Sequence, residues 1–228
     1  MSIEESASEI IDSKLWHQLV EREVEEANKS NTPLSVIFVD VDNLKYINDK
    51  YGHPEGDIVI AGLSNALCII KNNFRIKNAP SNDSRQVDIV AHSPHKIPQQ
   101  EDVFQQISPI NIEPGRIGGD EFAALCHTDK SGVEIIAKRL RLAFHNQIAP
   151  NMREDGIDIS IGSSTHNQGM SVFELLKIAD QNLYEDKKSH LAKLTDEQQI
   201  VFRGIIKALT DLGIRPRDYH KYYEQYKV

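Results

Sequence analysis

Apolar positions in the first thirty residues recur at helical spacing. Ile10, Ile11, Leu15, Leu19 and Val20 fall near one face of a 3.6-residue repeat, so residues 7–30 (ASEIIDSKLWHQLVEREVEEANKS) predict an amphipathic helix. Asn31-Thr-Pro33 breaks it. The next run, LSVIFVDVD (34–42), is continuous and β-branched rather than periodic, which predicts a central strand buried on both faces. It ends in Asp40 and Asp42. A helix is predicted from Asn43, interrupted at Lys50-Tyr-Gly-His-Pro54, with a second, strongly apolar helix over 56–73.

Residues 74–115 lose this order. They are rich in Asn, Ser, Pro, Gln and His, and only VDIVA (87–91) has a strand pattern, so the stretch reads as an insertion or functional loop. Regularity returns with GRIGGDEFAALC (115–126), where apolar flanks bracket Gly118-Gly119 and predict a β-hairpin turning at the glycines. Helix is predicted over 133–147, strand over 156–165, and helix over 171–190 with Ser171 as cap and Glu174 as its capping-box partner. A further helix over 195–213, with Thr195 as cap and Gly213 as stop, precedes a tyrosine-rich end. The alternation of strands and helices with one hairpin predicts an α/β (α+β) domain with a C-terminal helical extension. Its expected divisions are an N-terminal helix at 1–32, a central domain at 33–190 containing the insertion, and the extension at 191–228.

Composition narrows the function classes. The 228 residues are 39% hydrophobic and 26% charged, an ordinary balance for a folded domain. The net charge of -8 gives no basic face for sequence-independent binding to nucleic acid. Cys68 and Cys126 each sit in apolar runs, which predicts two buried thiols rather than a disulfide. No signal peptide and no apolar run of membrane-span length is visible, so the expected compartment is the cytoplasm, with no membrane partner.

Two acidic clusters stand at strand ends: Asp40 with Asp42, and Asp120 with Glu121 at the hairpin tip. Carboxylates at the ends of adjacent buried strands converge, and hard oxygen ligands on rigid strands suit Mg²⁺ or Mn²⁺. A pair of such ions activates an attacking hydroxyl and stabilises a leaving pyrophosphate. Taken singly, Asp40 or Asp42 is better read as a turn or rim residue; both clusters together, beside a double glycine, are better read as a site.

RIGGDEF (116–122) and DVDNLKYINDKYGHPEGD (40–57) resemble the diguanylate cyclase, or GGDEF, family. DISIGSS (158–164) and ADQNLYEDKK (179–188) are similar to its closing strand and helix, so the resemblance spans roughly residues 10–190. It implies a palm-like central sheet flanked by helices, with the hairpin carrying the GGDEF turn. It implies Asp40, the backbone carbonyl of Val41, and Asp120 as metal ligands, with Glu121 helping the metals or the ribose 3′-hydroxyl. Asn48 and Asp57 would hydrogen-bond guanine, with His53 in the same stretch; a carboxylate accepts from the guanine N1–H and N2–H₂ edge, which adenine lacks. Asn43, Leu44 and Lys45 would present N–H groups to phosphate. Lys187 would reach the β/γ-phosphates, and Arg116 would stabilise charge developing in transfer. Taken singly, Asn48 and Asp57 read better as helix caps, His53 as a turn residue and Lys187 as a solvated helix end.

The resemblance further implies Mg²⁺ or Mn²⁺ as cofactor, GTP as substrate, and a homodimer in which each 3′-hydroxyl attacks the partner's α-phosphate to give cyclic di-GMP and two pyrophosphates. Three departures stand against it. The Asp-x-Leu-Thr-Gly-Leu-x-Asn-Arg stretch of the family is replaced by SASEIIDSKLW, and Leu191 stands where an Arg follows the lysine, with His190 and Lys193 as candidate substitutes. Pro109 and Ile112 occupy the Arg-x-x-Asp positions of the product-inhibition site, although RQVD occurs at Arg85–Asp88. Regulation is then expected through the insertion, the C-terminal tail helix or a protein partner. A GGDEF-like module that binds GTP or a partner without turnover is the alternative, and a transferase joining a different nucleotide pair is a third reading.

Overall fold

The computed structural model describes residues 10–75 and 110–191, with the side chains of Arg75 and Leu191 excepted. The VDIVA strand, Arg85, Asp88, Lys193 and the tail helix expected from 195 lie outside these residues.

In chain order the elements are β1 (Ile11–Asp12), α1 (Ser13–Ser30), β2 (Ser35–Val41), α2 (Leu44–Tyr51), α3 (His53–Arg75), β3 (Ile112–Arg116), β4 (Glu121–Cys126), α4 (Lys130–His145), α5 (Pro150–Glu154), β5 (Ile159–Thr165) and α6 (Val172–Leu191). The strands form one mixed sheet in the order β1-β3-β4-β2-β5, antiparallel except for the β1–β3 pair. The α/β expectation therefore holds, and β2 is the buried central strand that its composition predicts, with every residue buried.

Alternation along β2 sorts the core. Ile37, Val39 and Val41 face α3 and α4, packing with Val59, Leu63, Leu67, Ile136, Leu140 and Phe144. Val36 and Phe38 face α1 and α6, with Trp16, Val20, Val24, Leu175, Ala179 and Leu183. Asp40 follows the second register and so lies on the α6 side.

Beyond shifts of a few residues at other helix and strand ends, three elements differ from the sequence expectation. Helix α1 begins at Ser13 because Asp12 caps it, its carboxylate accepting from Leu15 N at 2.9 Å, and Ile11 pairs instead with Gly115. Strand β3 (Ile112–Arg116) begins inside the stretch read as insertion and runs into the predicted hairpin. The strand tolerates Pro114 because β1 bonds only as far as Gly115 and Arg116, leaving that edge without a ladder partner for the missing N–H. Helix α5 is too short for periodicity to reveal, and its Pro150 sits at the helix start. The expected capping box is present: Ser171 N and Oγ both donate to Glu174 Oε2, and Glu174 N donates back to Ser171 Oγ at 3.2 Å.

Two close approaches fix helices on the sheet. A methyl group on Gly162 of β5 would lie 2.1 Å from Leu183 N and 2.2 Å from Ala179 O, so α6 rests with its backbone on that strand. A methyl on Gly115 would lie 2.5 Å from Trp16, which seats α1 on β3. Both cysteines are buried and neither forms a disulfide, as expected. Among the described residues no helix is long and apolar enough to cross a membrane.

Candidate active site

The register of β2 against β4 sets Asp40 directly opposite Glu121, and on its other side Asp40 faces Ser160 of β5. The two acidic clusters, 80 residues apart in sequence, are thus neighbours at one end of the sheet. Asp40 is buried, its side chain 8% exposed, and Lys187 Nζ of α6 lies 2.8 Å from its Oδ1. Lys187 therefore stands at the carboxylate end of the sheet, where a cation for phosphate would be required.

The turn between β3 and β4 is held from both sides. Ile117 N and Gly118 N both donate to Glu121 O, at 2.9 and 3.2 Å. Arg116 donates through Nη2 to Gly119 O at 2.6 Å and through Nε to Gly118 O and Gly119 O, and it stacks over Phe122. Its guanidinium is thus bound to the turn that carries Asp120, while remaining exposed. The two glycines differ in use. A methyl on Gly118 would come within 2.9 Å of Glu121 Oε2, whereas around Gly119 there is open space. Gly118 makes room for the Glu121 carboxylate, and Gly119 leaves the hairpin tip unobstructed on its outer side.

Leaving β2, the chain turns at Asn43 in the left-handed region (φ 57°, ψ 31°) and enters α2, whose first turn contains Leu44 and Lys45. No side chain of Asn43 caps this helix, so the cap position offers its first N–H groups to a ligand. Asn48, on the same helix, lies across the start of α3: a methyl on Gly56 would fall 2.0 Å from Asn48 Oδ1. Gly56 therefore lets Asn48 pack against the first turn of α3, while Asp57 and His53 are themselves exposed on the first turns of that helix. The turn between α2 and α3 is braced from behind, since Lys50 Nζ bonds Asp155 Oδ2 at 2.5 Å and Tyr51 Oη donates to the same oxygen. The Lys50 ammonium and the Tyr51 hydroxyl hold the Asp155 carboxyl below the usual carboxylate range.

The structure brings Asp40, Glu121 and Lys187 to one place, and sets Asn48 against the turn of α3 that precedes Asp57. Val41 is buried at the strand end between Asp40 and Asp42. Sequence reasoning placed Asp42 in the acidic cluster with Asp40 but gave it no role of its own. Its side chain is 9% exposed and its oxygens accept from Ser160 Oγ at 2.5 Å and His190 Nδ1 at 2.6 Å. The proposed substitution of His190 for the missing phosphate cation is thereby corrected: both ring nitrogens are engaged inward, Nε2 lying 3.0 Å from Arg141 Nη1. No local sequence signal marks this pairing, because its partners are 148 residues apart.

The oxygen donors at the sheet end are of the kind that a hard divalent cation would take. Asp40 is a buried carboxylate that needs an opposite charge, and the Lys187 ammonium supplies one there. Among the described residues no group of three or more His, Cys, Asp and Glu side chains is placed to hold a metal alone, so the backbone carbonyl and substrate oxygens would complete the set.

A family model described as "Diguanylate cyclase, GGDEF domain" matches residues 6–75 and 113–193. The chain is 28% identical over 185 residues to diguanylate cyclase DosC of Escherichia coli (strain K12), covering 79% of this chain and 32% of that protein. It is 26% identical over 191 residues to probable diguanylate cyclase DgcC of the same strain, covering 83% and 42% respectively. The chain thus spans less than half the length of these curated relatives. In fold it is similar to the GGDEF domain of DgcB from Caulobacter crescentus, solved in complex with c-di-GMP, with a TM-score of 0.56, 20% identity, and coverage of 79% of this chain and 86% of that one.

Proposed function

The chain belongs to the diguanylate cyclase GGDEF domain family, and on that premise we propose that it condenses two GTP molecules into cyclic di-GMP and two pyrophosphates across a homodimer. The observation that carries this reading is the cross-strand pairing of Asp40 with Glu121, with the Lys187 ammonium on Asp40. It gathers metal-type acids and a phosphate-type cation at one spot.

In this reading Asp40, the Val41 carbonyl and Asp120 hold Mg²⁺ or Mn²⁺. A bound divalent ion supplies Lewis-acid charge to the attacking and leaving oxygens. The chain's own groups do the rest. The N–H groups at Asn43, Leu44 and Lys45 receive phosphate oxygens at the helix start. Lys187 shifts from Asp40 toward the β/γ-phosphates. Asn48 and Asp57 read the guanine edge, with His53 beside them, and Glu121 orients the 3′-hydroxyl. Arg116 keeps the turn in shape and adds positive charge next to Asp120. Each 3′-oxygen forms a bond to the partner nucleotide's α-phosphorus, the α–β bridging bond breaks, and pyrophosphate departs while the hydroxyl proton passes to solvent through Glu121. One domain holds one nucleotide, so the reaction needs two chains face to face.

The missing cation at Leu191 favours a second reading, a GTP-binding module without turnover. Incubating the purified chain with GTP, with ATP, and with both, in Mg²⁺ or Mn²⁺, followed by mass spectrometry of the products, separates the readings. Cyclic di-GMP is expected, and Asp120→Ala abolishes it. GTP binding without product at high protein concentration replaces the enzyme with the module. Cyclic di-AMP or a mixed dinucleotide overturns only the guanine specificity.

A further inference from the structure

Behind the candidate metal acids lies a second, inward-facing cluster that the reaction as described does not use. The Asp42 carboxylate is held at both oxygens, by Ser160 Oγ at 2.5 Å and by His190 Nδ1 at 2.6 Å. Its backbone N–H donates to Asp158 O at 2.9 Å. His190 is itself placed by Arg141, whose Nη1 lies 3.0 Å from the ring Nε2, and Asp186 Oδ1 stands 3.8 Å from that nitrogen. Arg141 in turn is bonded to Asp186 at 2.9 Å, and Asp186 accepts from Ile161 N at 2.8 Å. The chain of contacts runs from α4 through α6 to the last residue before the left-handed turn at Asn43.

That position matters. Asn enters the left-handed region at a small cost, and its surroundings decide whether it is held there. Asn43 has no side-chain cap bond of its own, and Gly is absent there. The fixed point is its neighbour Asp42, tied to β5 through backbone and side chain and to α6 through His190. Whatever sets Asp42 also sets the direction in which the Val41 carbonyl points and the place where the α2 N–H groups begin.

We propose that His190 is a positioning residue: by clasping Asp42 from α6 it holds the strand end and the Asn43 turn in the conformation that receives the metal-bound triphosphate. The inference rests on the nucleotide-binding reading of the site. It assigns His190 no contact with substrate. Arg141 acts one step further back, through its Nη1, which lies 3.0 Å from the ring Nε2.

The test uses the full chain with three substitutions: His190→Ala, His190→Asn, which keeps an N–H donor near the Nδ1 position, and Asp42→Asn. Amide hydrogen exchange in the substrate-free protein and GTP titration with Mg²⁺ are both read, followed by kcat and KM. His190→Ala is expected to weaken GTP binding and raise KM about tenfold, the usual size for loss of a group that orients a ligand holder. Exchange at the amides of Asp42 and Ile47, bonded to Asp158 O and Asn43 O, should rise while the amides of β2 and β4 stay protected. His190→Asn should restore binding to within about threefold of wild type. The double variant His190→Ala/Asp42→Asn should be no worse than the poorer single one, because both break one contact.

Unchanged GTP binding and unchanged exchange at Asp42 and Ile47 in His190→Ala overturn the proposal. So does faster exchange spread evenly over the whole sheet, which describes a packing role only. If His190→Ala fails to fold, His190→Asn decides: wild-type binding sustains the clasp, and binding lost with the fold intact overturns it. A wild-type chain that neither binds GTP nor yields product overturns the functional reading instead, and the local exchange measurement still reports on the clasp.

Discussion

The two ends of β2 solve the same problem in opposite ways. At the beginning, Ser35 is fully buried and neutral; its hydroxyl donates to Thr128 O at 2.8 Å and shares a hydrogen bond with Thr165 Oγ1 at 2.9 Å. Its partners lie on the neighbouring strand and the adjoining loop. At the other end Asp40 and Asp42 are buried as carboxylates, and each is answered by a basic side chain from α6, Lys187 and His190. Taking a carboxylate out of water costs several kcal/mol unless geometry and hydrogen bonds are good. A hydroxyl bonded to backbone satisfies burial far more cheaply. One end of the strand is therefore built for folding alone, while the other carries charge that a stable fold does not require.

The contrast can be broken most sharply at Asp40. Asp40→Asn should remove product formation by on the order of a thousandfold, equivalent to the several kcal/mol that metal-ion charge contributes, while a cooperative melting transition persists. Steady-state assay beside thermal melting reads both; retained activity would show that the acid end is structural too. Next in size is Gly56→Ala. The added methyl collides with Asn48 Oδ1, so GTP affinity should fall about tenfold, as for other disturbed orienting groups, with kcat less affected; calorimetric titration measures it. Ser35→Ala should leave turnover unchanged and lower stability by about 1–3 kcal/mol, the cost of stranding buried polar partners, as read by urea unfolding.

The smallest effect is one of acidity. Burial pushes the Asp158 carboxyl up, but His145 and the Ile159 N–H, bonded to it at 3.0 and 2.8 Å, and nearby Arg141 bring it below its ordinary value. A lowered folded value means that its stabilisation is complete above the unfolded pKa and disappears as pH falls through the folded one. The melting difference between wild type and Asp158→Asn should therefore be present at neutral pH and fade below about pH 4. That of Ser35→Ala should stay constant over the same range.

Most of this architecture was readable along the chain. Continuous burial of β2, the hairpin at Gly118-Gly119, and the Ser171–Glu174 box are local patterns with local causes. The metal-type acids were readable because each stands at a strand end, and strand ends in one sheet converge. Three features were not. Strand β3 hid behind Pro114, whose acceptability depends on how far β1 extends beside it. The use of Gly56 depends on a residue from the preceding helix. The Asp42–His190 pairing joins the second strand to the last described helix, and neither side chain announces the other. Where a contact depends on how two elements cross, spacing in sequence carries no trace of it.

Helix α6 touches β5 at Gly162 with no side chain between them. A cushion of side chains would let the helix slide; bare backbone makes a fulcrum. Lys187 and His190 lie four and seven residues beyond Leu183, roughly 6 and 10 Å along one rigid rod. Tilting that rod displaces both basic groups at once, so the two acids at the end of β2 answer to a single lever rather than to two independent latches.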